Sequence, residues 1–137
     1  MSDSDELERI RQRKRERLEG SADGGAGTSD AAPTEPIHVE GQDHLGEVTD
    51  EYDVVLVDFY ADWCGPCQML EPIVESLAAE TGAAVAKVDV DANQALASQY
   101  GVRGVPMLLL FADGEAVEQM VGVQQKEQLA GLIERYD

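Results

Sequence analysis

Apolar and polar positions fall into blocks along the chain, and the period within each block names an element. Ile37 to Val39 makes a short strand ahead of a brief helix around His44 to Asp50. Val54 to Ala61, VVLVDFYA, is apolar at nearly every position, the pattern of a central strand covered on both faces. Helical spacing follows from Cys64 to Glu80, where Met69, Leu70, Ile73, Val74 and Leu77 recur at three and four. Pro72 should kink that helix because it has no N–H to donate, and Gly82 is placed to end it. A second long strand, Ala83 to Val90, leads through a helix at Asn93 to Tyr100 into a third, Pro106 to Phe111. Asp113 and Gly114 supply a hairpin turn into a strand at Glu115 to Val121. Gln125 to Tyr136 then forms an amphipathic helix with Leu129, Leu132 and Ile133 inward. No internal repeat interrupts this order. The pattern predicts an α/β fold, βαβαβαββα, with a central mixed sheet flanked by helices. The strands separated by helices are expected to pair in parallel, and the final hairpin must be antiparallel.

The length of 137 residues and a hydrophobic share of 43% suit one domain and one core. Charge divides the chain unevenly. Residues 1–36 hold six basic residues, Arg9, Arg11, Arg13, Lys14, Arg15 and Arg17, against nine acidic ones, and the rest holds four against nineteen. Asp5 and Arg9, four apart, suggest a short charged helix, and the Gly, Ser, Ala and Asp stretch from Gly20 to Ala32 reads as a flexible linker. The folded domain is therefore expected over 37–137, with 1–36 a charged extension. A net charge of -18 repels nucleic-acid phosphates and anionic lipid, so neither is an expected partner. The first residues lack the apolar core of a secretory signal, and no apolar run approaches the roughly 18 residues of a membrane span. The reading is a soluble, cytoplasmic monomer.

Two cysteines occur, Cys64 and Cys67. A disulfide between them would close so short a loop that it constrains the unfolded chain by only about 2 kcal/mol, which favours reversible thiol chemistry over a structural staple. Cys64 falls at the start of a helix that follows a buried strand. Unpaired N–H groups and the helix dipole stabilise a thiolate there, which makes Cys64 the nucleophile. Cys67, one turn on, has its Cα about 5 Å away by helix geometry, within disulfide reach. Cys64 can thus attack a client disulfide, and Cys67 can resolve the mixed disulfide, leaving the client reduced and the pair oxidised. Asp58 also stands out, because a carboxylate inside an apolar strand is costly to bury and its raised pKa would suit proton transfer.

The stretch VDFYADWCGPC, the helix with Pro72, the later GVRGVPMLLLF and the DG hairpin together resemble the thioredoxin family over roughly residues 37–137. The resemblance implies the thioredoxin fold and a general protein-disulfide reductase that needs no cofactor or metal beyond its own Cys64–Cys67 disulfide. It implies a thioredoxin reductase and oxidised client proteins as partners. Pro106 matches a cis proline packed against the cysteines, and the backbone of Val105 would pair with an extended substrate. Asp58 matches the buried general acid and base for Cys67, and Lys87 the lysine that tunes it. Trp63, Gly65, Pro66, Gly122 and Val123 match the surface on which partners dock. Three positions depart from the commonest family pattern: Met107 where threonine is frequent, Gln68 where a basic residue is common, and Tyr60 where tryptophan is common.

Other readings of the same residues exist. Cys64 and Cys67 could join His38 and His44 in a structural zinc site, although the histidines read more simply as surface residues. The domain could be a reductant for one client, selected by the N-terminal extension, or a noncatalytic binding module. The acid excess, with lysine reduced to Lys14, Lys87 and Lys126, resembles that of haloarchaeal proteins adapted to a salt-loaded cytoplasm.

Overall fold

A computed structural model describes residues 32–137. The expected N-terminal helix and most of the expected linker lie outside the described residues. The elements run β1 (Ile37–His38), α1 (Gly41–Glu51), β2 (Val54–Tyr60), α2 (Gly65–Glu80), β3 (Ala84–Asp89), α3 (Gln94–Gln99), β4 (Met107–Ala112), β5 (Glu115–Val121) and α4 (Lys126–Tyr136). The five strands form one sheet in the order β1-β3-β2-β4-β5. β2 is central, as its largely apolar run suggests, and all its residues from Val54 to Phe59 are buried.

β3 pairs in parallel with both β1 and β2, whereas β4 runs antiparallel to β2 and β5 antiparallel to β4. β4 therefore breaks the expected parallel pairing of strands separated by helices. β4 starts near the end of the sheet where β3 stops and runs in reverse. This reversal sets Met107 opposite Phe59, which brings the segment before β4 to the cysteine end of β2.

Side chains alternate across the sheet into two apolar layers. Val55, Val57 and Phe59 of β2 pack with Leu45 and Val48 of α1, Leu96 of α3 and Phe111 of β4. Val54 and Leu56 pack on the opposite face with Leu70, Val74 and Leu77 of α2 and Leu129 and Ile133 of α4. Pro72 lies inside α2 without ending it, on the exposed side of the helix. The stop is Thr81 rather than Gly82. Thr81 takes an extended backbone, and both its N–H and its hydroxyl donate to the Leu77 carbonyl, at 2.9 and 2.7 Å. That hydroxyl also accepts from the N–H of Ala83, so a side chain closes the orphaned helix end with no left-handed glycine. The β4–β5 turn is as expected: Asp113 and Gly114 both have positive φ, 52° and 84°, the pair that a two-residue hairpin turn requires. Among the described residues no helix is long and apolar enough to cross a membrane.

Candidate functional site

The site is built where β2 ends and α2 begins. Cys64 caps α2 in extended conformation, and its Sγ accepts from the N–H of Cys67 at 3.2 Å. Gly65 and Pro66 occupy the first helical positions, where Pro66 loses no helix hydrogen bond because its N–H would have had no partner there. Cys64 and Cys67 form a disulfide with a Cα separation of 5.3 Å, and both are almost fully buried. No group of three or more His, Cys, Asp or Glu residues arranged to hold a metal ion occurs among the described residues. His44 instead accepts a hydrogen bond at Nδ1 from the backbone of Glu40.

The Val105–Pro106 peptide bond is cis. The Val105 carbonyl oxygen lies 3.6 Å from Cys64 Sγ. Gly122, at φ 90°, closes the same corner from β5 by donating its N–H to the Pro106 carbonyl at 2.8 Å. That conformation favours glycine at this position.

Around the buried sulfurs the surface is apolar and open. Trp63 is 71% exposed, and Gly65, Pro66 and Val123 are exposed as well. Met69 and Val121, each 66% exposed, are further large apolar groups on the surface that the motif comparison did not single out. Trp63 is held by its indole N–H, which donates to Asp91 at 2.9 Å across 28 residues of sequence. No local pattern points to Asp91. It is found only once the β3–α3 loop is placed next to the start of α2.

Beneath Cys67 lies a cavity of about 350 Å³ lined by His38, Tyr60, Ala61, Asp62, Cys67, Gln68, Glu71 and Lys87. Two of its lining residues, His38 and Lys87, belong to a row set by sheet register. His38, Lys87, Asp58 and Leu108 are successive neighbours on β1, β3, β2 and β4, in the layer that faces α2. Asp58 is 1% exposed, and neither of its oxygens has a hydrogen-bond partner among the described residues. Burial pushes its carboxyl up from 3.8 to about 6; Lys87 pulls the other way, and Glu71 adds to the rise. Lys87 is buried too. Its Nζ stands 3.6 Å from Glu71 Oε1 and 4.4 Å from the centre of the Tyr60 ring. Glu71 was legible in principle, because it lies four residues after Cys67 and so on the same face of α2. His38 reaches the cavity only because β1 pairs with β3.

Comparison with known proteins accounts for this arrangement. The family model described as Thioredoxin matches residues 35–135. A thioredoxin of Chlamydia caviae is 48% identical over 84 residues, which is 61% of this chain and 82% of that protein. One from Staphylococcus aureus is 47% identical over 88 residues, 63% of this chain and 85% of its own. Among solved structures, a mutant thioredoxin from Halobacterium salinarum NRC-1 shares 68% identity and superposes with a TM-score of 0.75, covering 77% of this chain and 94% of that one. With the cysteine pair of a thiol–disulfide oxidoreductase at the head of α2 and a family model spanning the whole sheet, the chain belongs to the thioredoxin family.

Proposed function

We propose that this protein-disulfide oxidoreductase reduces clients through Cys64 as attacking thiolate and Cys67 as resolving thiol. The observation that supports this division is that Cys64 Sγ, not Cys67 Sγ, receives a backbone N–H at the helix N-terminus. A negative charge on that sulfur is stabilised by the hydrogen bond and by the dipole of α2. The Cys64 thiolate attacks one sulfur of a client disulfide, forming a mixed disulfide and releasing the other client sulfur as thiolate. Cys67 then loses its proton and attacks Cys64 Sγ. The Cys64–Cys67 bond forms, the mixed disulfide breaks, and two electrons have passed to the client, which leaves as a dithiol after taking up protons.

Asp58 takes the proton from Cys67 in that second step. A carboxyl near 6 is half ionised close to the working pH, so it can both accept and return a proton. Lys87 biases it toward the ionised form. Trp63, Gly65, Pro66, Gly122 and Val123 form the docking surface, and the Val105 backbone before the cis Pro106 pairs with an extended client segment next to Cys64. The same face receives a thioredoxin reductase, which returns the pair to the dithiol. We assign the domain to residues 37–137, working as a monomer in the cytoplasm, where a reducing pool keeps the dithiol in use.

Insulin disulfide reduction driven by dithiothreitol in molar salt tests this reading. Cys64→Ser is expected to abolish turnover. Cys67→Ser, reduced, freed of dithiothreitol and mixed with the oxidised client, is expected to accumulate a covalent adduct, seen on a nonreducing gel and released when reductant is added. An adduct on Cys67 in the Cys64→Ser protein, with none on Cys64 in the Cys67→Ser protein, would reverse the assignment.

A further inference from the structure

Lys87 has two carboxylates to choose between. Asp58 is its register neighbour on β2, buried and without a hydrogen-bond partner among the described residues. Glu71 reaches down from α2 with a side chain half exposed to water. The ammonium pairs with Glu71 at 3.6 Å, and the Tyr60 ring at 4.4 Å holds it there by a cation–π contact. Resting on the reading of Asp58 as the proton acceptor for Cys67, we propose that Glu71 is a positioning residue for that proton transfer: it draws Lys87 to the cavity wall and withholds it from Asp58.

A direct Asp58–Lys87 pair in so buried a place would hold the carboxylate ionised and make it a poor base. With the ammonium shared toward Glu71, Lys87 lowers the Asp58 carboxyl less than burial raises it, the Glu71 charge itself adds to the rise, and the carboxyl keeps the raised value near 6. The other groups facing Asp58 do not supply this effect. β4 presents Leu108 there, and Leu56 and Tyr60 are its neighbours along the same face of β2. Tyr60 stays protonated, because burial and the nearby carboxylates of Asp89, Asp62, Asp58 and Glu71 raise it. α2 contributes Cys67 besides Glu71, and β1 contributes His38, one strand farther out beside Lys87.

The test is a carboxyl NMR titration of Asp58 in the oxidised protein, comparing the parent with Glu71→Gln and repeating the pair in a Lys87→Met background. Glu71 lies on an exposed helix surface, so its variant should fold. Glu71→Gln is expected to lower the Asp58 midpoint by about half a pH unit, as the freed ammonium turns to Asp58. In the Lys87→Met background the same change should have less than half that effect. An unmoved midpoint, or an equal shift in both backgrounds, overturns the positioning role. Kinetics separates this from the reading it rests on. If Asp58→Asn leaves the pH profile of insulin reduction unchanged, Asp58 is not the base and the role of Glu71 in proton transfer falls with it. If Asp58→Asn removes the acid limb while Glu71→Gln leaves it in place, only the role of Glu71 falls.

Discussion

The two faces of β2 are buried to the same degree and built from the same strand, yet they hold different things. Toward α1 and α3 stand Val55, Val57 and Phe59, all at 0–1% exposure in a wholly apolar layer. Toward α2 stand Val54, Leu56 and then Asp58, equally buried but carrying a carboxyl with no hydrogen-bond partner among the described residues. The first face gains stability from every residue. The second gives some back at one position, directly under the helix that carries both cysteines. Burial by itself therefore does not set Asp58 apart from its neighbours, whereas unsatisfied polarity within burial does.

The sharpest way to break this contrast is to cut into each face in turn. Phe59→Ala removes a ring that packs against Tyr100 at 6.0 Å between centroids, and should cost about 3–5 kcal/mol in denaturant unfolding. The activity per folded molecule should change little. A loss of activity without loss of stability would mean that the apolar face also shapes the site.

Asp58→Asn should do the reverse, stabilising the oxidised protein while slowing turnover. Below about pH 4 the carboxyl is protonated in both folded and unfolded chains, so it carries no ionisation cost. Between about 4 and 6 the unfolded chain ionises first, and the stability of the parent falls as pH rises. Above about 6 the full cost is present, up to about 3 kcal/mol for a carboxyl moved from 3.8 to about 6. The Asn variant should thus gain over the parent at pH 8 and lose that gain by pH 4, as read from unfolding midpoints across pH. A gain that does not depend on pH would show that Asp58 titrates alike in the folded and unfolded chains, so that burial has not raised it.

Trp63→Ala should have the smallest effect on stability, below about 1 kcal/mol, because the ring is 71% exposed and is tied down mainly by Asp91. Its larger effect is expected on docking. KM for a protein client should rise several-fold with kcat nearly unchanged, measured by initial rates over a range of client concentration. A fall in kcat alone would place Trp63 in the chemistry instead.

Much of this architecture follows from short-range rules. The largely apolar run of β2, the three-and-four spacing of α2 and the Asp113–Gly114 turn each act within a few residues, so the order of elements can be read along the chain. The chemistry at Cys64 is equally local, since a cysteine opening a helix meets unpaired N–H groups wherever that helix is packed. The N–H of Cys67 donating to Cys64 Sγ is that local rule at work. Even the finer error was local: Thr81 stops α2 with its own hydroxyl, one residue before the glycine that seemed placed for the task.

What only the tertiary structure decided is which distant residues share the site. The row His38, Lys87, Asp58 and Leu108 depends on the strand order β1-β3-β2-β4 and on its register, and a slip of one residue would turn each side chain to the other face. The antiparallel course of β4 brought Val105 to the cysteines. Asp91 reached Trp63 across 28 residues, and Glu71 took Lys87 from its register partner. These pairings are fixed by how whole elements pack against one another, a global balance that no period along the chain records. The sequence by itself determined that a reactive dithiol would open a helix; packing decided which charges stand beneath it.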